Sequence, residues 1–398
     1  MTAIHGRDPQ GERRPRLVVL SHAAPRSQTG NAGQNYLSAR VRHWQAGFDV
    51  RCILLQGRSA REDLDEALCP VHVLAKARRG RWRQALSNRV RRTFVGVADP
   101  AVARDLRADA AAREWLAEAD VVALEWQEMA GHARTVRELA PRAQIVSVLH
   151  DVVSQSVDRK RSLSGSLRER LKWSLVGAGA RAAERWIMRT SDVAVVLSEK
   201  DRGLLPRGRA RVAVVPPAID APAAPRRRPE PNRTIMVASW RQEDLTGLRW
   251  FLDEVLPLVQ GAGVEPDIHL IGRMAEEAQA QLRNEPITIS GFVPSITSEY
   301  ESAAVAIVPL QLGAGVKFKT VEAILHRVPI VTTPVGAEGV RGLEGTAKVS
   351  GAAAAFADRL AWILRDPAAA QAEADALAEE VAKLHSMAAF HQSMRELL

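Results

Sequence analysis

Long apolar runs are missing from this sequence. No stretch approaches the roughly 18 residues that a membrane-spanning helix requires. The first 16 residues are polar and charged, so neither a span nor a signal peptide is expected. Cysteine is nearly absent: Cys52 and Cys69 form no metal or disulfide spacing and suit a reducing cytosol. Aromatic residues are 5% of the chain, although nine of them are Trp. No set of metal ligands stands out. Asp63-Leu64-Asp65 has the form of a metal-binding pair but sits in an acidic turn, and no metal is expected. Acid is absent between Glu66 and Asp99.

Within that acid-free window lie Lys76, Arg78, Arg79, Arg81, Arg83, Arg89, Arg91 and Arg92, while Trp82, Leu86, Val90 and Phe94 recur every fourth residue. A basic amphipathic helix with a Trp over 76–94 reads as a contact for an anionic membrane surface. The alternative is a solvated face whose apolar stripe packs on its own domain. The net charge of +9 favours acidic partners in general. Nucleic acid is not expected, because no binding module accompanies the charge.

Taken in order, residues 1–16 read as a disordered leader. Leu17–Ser21 is a buried strand, followed by a loop with Gly30 and Gly33, a helix over about 35–47 and the strand Val50–Leu55. That strand, glycine loop, helix and strand open a Rossmann-like half. Asp120–Glu125 and Gln144–Leu149 are further strands. The second ends at His150-Asp151, where open α/β sheets bind ligands; a lone histidine there is also compatible with a structural role. Asp151 either orients the imidazole or caps the next segment. Arg159–Arg189 reads as one long basic helix. It contains Gly177-Ala178-Gly179-Ala180-Arg181-Ala182, a formal dinucleotide fingerprint with a helix where its strand should be, hence a decoy. The segment 219–232, with four prolines and Arg226-Arg227-Arg228, is the linker. Beyond it come the strand Thr234–Ala238, a helix over Leu245–Leu258, strands at Ile268–Ile271 and Ile287–Ile289, and a helical Ala-rich end from Phe356.

The most informative stretch is 305–340. A buried strand ends at Pro309, the loop Gly313-Ala314-Gly315 follows, and a helix repeats Val321, Ile324, Leu325 and Val328 before the strand Ile330–Thr333. Glycines let backbone amides approach a ligand, and a helix N-terminus carries about half a positive charge. Lys317 and Lys319 stand at that positive end, where acids normally sit, so an anion is expected there. Glu322, one turn on and away from the apolar stripe, is placed to accept hydrogen bonds from sugar hydroxyls. The alternative is a surface ion pair around a structural turn.

The run G-x-G-V-K-x-K-x-x-E-A over 313–323, followed by P-I-V-T-T-P-x-G-A-E-G, resembles the donor-site signature of family 4 glycosyltransferases (glycosyl transferases group 1). The likeness is to the branch lacking the first glutamate of the usual pair, whose place Ala314 takes. Arg327 replaces the usual glycine before the hydrophobic-Pro step, so the helix is expected to close without its preferred cap. The resemblance implies a GT-B fold, two Rossmann-like domains with parallel sheets facing across a cleft. Its domains would be 17–218 for the acceptor and 233–370 for the nucleotide-sugar donor, with 371–398 a helix crossing back to the first.

It further implies that Glu322 binds the ribose and that Lys317 and Lys319 contact the diphosphate with Gly313, Gly315 and Val316. Backbone near Phe292 and Val293 would hold the nucleobase, and Arg241 would reach the diphosphate, a surface role being the alternative. His150 would lie near the transferred sugar. Gly30 and Gly33 would border the acceptor and diphosphate, unless they only shape a tight turn. The implied reaction is metal-free, retaining transfer of a sugar from a nucleotide diphosphate to an acceptor hydroxyl on a glycan, lipid-linked or small molecule. It would run in the cytoplasm, at the inner face of the membrane if 76–94 makes its contact. The donor is a substrate, and no cofactor is implied. The rival readings are a UDP-sugar epimerase on the same architecture and a non-catalytic nucleotide-sugar-binding protein.

Overall fold

The computed structural model of the 398-residue chain describes residues 13–27, 32–55, 64–74, 99–222 and 225–398. Two compact units emerge: Met1–Val215 together with Ser393–Leu398, and Pro216–Gln392. Gly30, Asp63 and the basic stretch 76–94 lie outside the described residues.

The sheet of the first unit has seven parallel strands: β1 (Arg16–Ser21), β2 (Asp49–Leu55), β3 (Val71–Leu74), β4 (Val121–Glu125), β5 (Gln144–Val148), β6 (Val193–Val196) and β7 (Arg211–Val214). Their order is β3-β2-β1-β4-β5-β6-β7, with Leu17 opposite both Val50 and Val121. Leu17–Leu20 and Val121–Leu124 are buried throughout, as continuous apolar runs must be when helices cover both faces of a parallel sheet. Two short helices that the sequence reading passed over, Pro100–Ala108 and Ala110–Ala117, start where Asp99 and Asp109 accept the amides of Ala101 and Ala112. Cys52 on β2 and the nearby Cys69 are both buried. Burial pushes both thiols up, Cys69 to about 12, and Cys69 adds to the rise at Cys52.

The expected helix over Arg159–Arg189 is two helices, Val153–Ser162 and Leu167–Thr190, broken at Ser164-Gly165-Ser166. Ser166 restarts the second by accepting the amide of Glu169 at 3.2 Å. The decoy fingerprint lies inside this second helix, where Gly177 packs against the first: a Cβ at Gly177 would sit 3.4 Å from Val157. Gly177 serves helix packing.

The second unit holds five parallel strands: β8 (Arg233–Val237), β9 (Asp267–Ile271), β10 (Ile287–Gly291), β11 (Val305–Val308) and β12 (Ile330–Thr332), ordered β10-β9-β8-β11-β12. The helix expected over Leu245–Leu258 is interrupted. It runs as Gln242–Trp250, widens to a π turn at Phe251–Val255, and resumes at Leu256–Gly261. Pro257 has no N–H to give to the preceding turn, and the wider turn falls just before it. The segment called a linker is tied down within this unit: the amides of Arg228 and Glu230 donate to the carbonyls of Glu301 and Ser302, at 2.9 and 2.8 Å. Arg227 of its triple-arginine run donates to the carbonyl of Tyr300. The helix end at Arg327 closes without glycine, as expected from the sequence. Arg327 adopts φ 58°, its amide reaches Ile324 O and that of Val328 reaches Ala323 O, so the Schellman closure forms without glycine. Among the described residues no helix is long and apolar enough to cross a membrane.

Candidate functional site

In each sheet the strand order reverses once, between β1 and β4 in the first unit and between β8 and β11 in the second. Loops leaving the carboxyl ends of strands on either side of such a reversal frame a crevice. Arg241, Gly313, Gly315, Val316 and Lys317, singled out in the sequence, sit on those loops, and Gly33 and Lys319 open the helices that follow them.

In the second unit the loop after β11 carries Gly313 at φ 123° and Gly315 at φ 69°. The first value is open essentially to glycine alone. Lys317 caps the helix Phe318–Leu325, whose first turn has no acid. Its ammonium group donates to the carbonyls of Ala314 (2.8 Å) and Gly315 (2.6 Å) and lies 3.9 Å from Glu338. Val316 is buried beneath the turn. Lys319, two residues on, pairs with Asp244 in the first turn of the Gln242–Trp250 helix, which follows β8. The second carboxylate oxygen of Asp244 accepts the amide of Arg241 at 3.0 Å. Asp244 therefore joins the loops from both sides of the reversal, and it gave no signal in the sequence beyond its place in a helix start. Arg241 itself is exposed. Beside it Trp240 is held at φ 52° with its ring N–H on Ile271 O, 3.2 Å away. Gly272, φ 116°, is required there because a Cβ would fall 1.9 Å from Ala238 O.

Glu322 does not stand on an open flank. Burial raises its pKa, against the opposing effect of the Tyr300 hydroxyl, which donates to it at 3.1 Å. Tyr300 is fully buried and stacks on His326 with ring centroids 4.7 Å apart. His326 in turn meets the carbonyl of Glu322 through Nδ1 at 2.8 Å, and burial lowers its pKa. Neither Tyr300 nor His326 was singled out in the sequence. At the end of β10, Phe292 is 68% exposed with the Arg273 guanidinium 5.5 Å from its ring centroid, and Val293 is half-buried beside it. The open ring offers a stacking face.

In the first unit His150 follows β5. Its ring stacks on Trp126 (4.7 Å, 13°) and meets Tyr36 edge-on at 5.4 Å. Trp126, immediately after β4, has φ 67°, a conformation a bulky residue adopts only under constraint, and its other neighbour is His22 at 4.0 Å. A Cβ at Gly33 would already touch His150 Nδ1 and Trp126 at 3.4 Å, so glycine leaves the imidazole edge uncovered. Nε2 faces the Glu125 carboxylate at 3.3 Å. Glu125 is fully buried and ion-paired with the equally buried Arg40. Burial alone would raise Glu125, but the Arg40 charge and the bonds from His150 and Arg40 hold its carboxyl below the usual range. A carboxylate facing the histidine thus comes from β4. Glu125, Arg40 and Trp126 were invisible in the sequence, since they meet only when β1, β4 and β5 pair. Among the described residues no three of His, Cys, Asp and Glu converge to hold a metal ion.

Residues 231–366 match the family model described as Glycosyl transferases group 1, and residues 59–221 the one described as Glycosyltransferase Family 4. No curated protein matches the sequence. Among solved structures, HepE (Alr3699) of Anabaena in complex with UDP and glucose is 15% identical and superposes with a TM-score of 0.65 over 96% of this chain and 98% of that one. A point mutant of S. aureus TarM in complex with fondaparinux, α-GlcNAc-glycerol and UDP is 9% identical, TM-score 0.65, over 96% and 99%. The α,α-trehalose 6-phosphate synthase of Burkholderia multivorans is 14% identical, TM-score 0.63, over 96% and 97%. At such identities the likeness is one of fold.

Proposed function

Since this chain belongs to the family 4 glycosyltransferases, the glycosyl transferases group 1, and has their GT-B fold, we propose that it moves a sugar from a nucleotide diphosphate to an acceptor hydroxyl. The observation that carries the reading is the loop after β11. Two glycines at positive φ and two lysines stand at an acid-free helix start, at the reversal of the second sheet. HepE has been solved with UDP-glucose, which supports a nucleotide sugar as donor.

The diphosphate docks on Gly313, Gly315, Val316, Lys317 and Lys319, with Arg241 at its rim. To meet it, Lys317 exchanges the carbonyls of Ala314 and Gly315 for phosphate oxygens, a gain in charge complementarity. Glu322 keeps one oxygen on Tyr300 and offers the other to the ribose, and the base lies against Phe292 and Val293. His150 and Gly33 serve the sugar and acceptor. As the sugar–phosphate bond breaks, its electron pair passes to the diphosphate, and the lysines and loop amides meet that charge. The acceptor oxygen attacks from the same face and its proton passes to the leaving phosphate, so the configuration is retained without a metal. A glycan, lipid-linked or small-molecule acceptor fits this chemistry. The two buried, unpaired thiols suit a cytoplasmic setting. A peripheral contact with anionic membrane through 76–94 belongs to the same proposal.

Thermal unfolding in a panel of UDP-, GDP- and dTDP-sugars tests the reading. A true donor at 100 times its Kd stabilises by about 2.7 kcal/mol. Failure of every nucleotide sugar to raise the midpoint, while turnover with acceptors is also absent, would overturn it.

A further inference from the structure

The two helices Val153–Ser162 and Leu167–Thr190 form a hairpin that is tied together away from its turn. There Glu184 accepts the amide of Ser154 at 2.9 Å, and Arg181 reaches both oxygens of Asp158 at 3.1 Å. From Val176 onward the long helix buries one face. Toward its start the pattern inverts: every residue from Gly165 to Lys172 is exposed. Leu163, Leu167, Leu171 and Leu175 stand 62, 83, 63 and 58% open. A spacing of four puts the last three on one side of the helix, with Leu163 entering from the turn before it.

Cations border that leucine stripe. Between 159 and 175 lie Arg159, Lys160, Arg161, Arg168, Arg170 and Lys172, against the single acid Glu169. On a helical wheel Arg168 and Lys172 fall on one side of the stripe and Arg170 on the other. The ammonium groups of Lys160 and Lys172 lie 5.6 and 4.8 Å from the Trp173 ring centroid. An apolar ridge edged by cations matches the boundary between acyl chains and anionic headgroups.

We infer that the hairpin tip, Leu163 to Leu175, docks on an anionic lipid surface. The leucines enter the headgroup boundary and the flanking cations meet lipid phosphates. Charge complementarity selects this occupant. A second copy of the tip would set cations against cations, and so would the acid-free stretch 67–98 of the same chain. The inference does not depend on the donor chemistry, and its test uses no sugar nucleotide.

The full chain is sedimented with phosphatidylglycerol vesicles and with phosphatidylcholine vesicles at low salt, beside a triple variant Leu167→Ser, Leu171→Ser, Leu175→Ser and a charge variant Arg168→Glu, Arg170→Glu, Lys172→Glu. All six positions are exposed, and equal unfolding midpoints confirm that the fold is kept. The expected result is binding to the anionic vesicles alone. The serine variant should weaken it at least tenfold, and each removed cation by about fivefold. No binding by the parent chain overturns the inference. So does binding that both variants retain, which moves the contact elsewhere. Self-association of the parent without vesicle binding, abolished in the serine variant, would overturn it too and give the ridge to a second copy.

Discussion

The two sheet reversals answer the same architectural opportunity in opposite ways. In the second unit the crevice is built largely from backbone: glycines at positive φ, a helix start, and lysines whose present partners include a carbonyl pair and the buried carboxylates of Asp244 and Glu338. In the first it is built from side chains alone, a stack of His22, Trp126 and His150 backed by the buried Glu125–Arg40 pair. A backbone cradle suits a group whose charge is fixed and whose shape is common to many ligands, as a diphosphate is. A packed imidazole suits a partner that must be placed to a fraction of an ångström and met by one hydrogen bond.

The sharpest way to break this contrast is His150→Ala. Turnover of the donor, read as transfer or slow hydrolysis, should fall about 100-fold while the donor Kd stays within about twofold. A matching loss of donor affinity would place donor binding on the first unit as well. Lys317→Ala should do the reverse, raising the donor Kd about 10- to 100-fold as a charge-assisted contact is lost. Calorimetric titration reads it, and an unchanged Kd would remove the lysine from the diphosphate.

Those two loops were unequally legible. Glycines and misplaced lysines announce themselves in sequence because each breaks a local rule of turn or dipole. His150 was found by its position after a strand, but Trp126, Glu125 and Arg40 were not, since each obeys local rules and acquires meaning only through pairing of β1, β4 and β5. Alternation of buried strands and helices gave the α/β class for the same reason that it hid the breaks. The hairpin turn at Gly165 and the π turn at Phe251–Val255 sit inside patterns that continue helically on both sides.

A smaller effect concerns Glu322. Burial raises its pKa, so ionising it costs the free second unit stability, fully present at low pH and lost as pH rises through the raised value. Ribose hydroxyls require the ionised form. Donor affinity should therefore hold above that pKa and drop about tenfold per pH unit below it, and Glu322→Gln should flatten the profile. A wild-type profile still flat at about pH 4, below the ordinary carboxylate value, would separate Glu322 from the ribose. The least effect is expected at Arg327. Replacing it with glycine relieves a left-handed conformation that costs about 1 kcal/mol and forfeits exposed ion pairs to Asp375 and Glu379 worth less. The unfolding midpoint should rise by a degree or two.

Cys52 within β2 and Cys69 just before β3, both buried with their thiolates suppressed, give the molecule an intrinsic reporter. The second unit carries no sulfhydryl at all. A maleimide dye added to the native chain thus stays silent until the first unit opens, and the rate at which it attaches counts those openings alone. One half of the molecule can be timed while the other goes unseen.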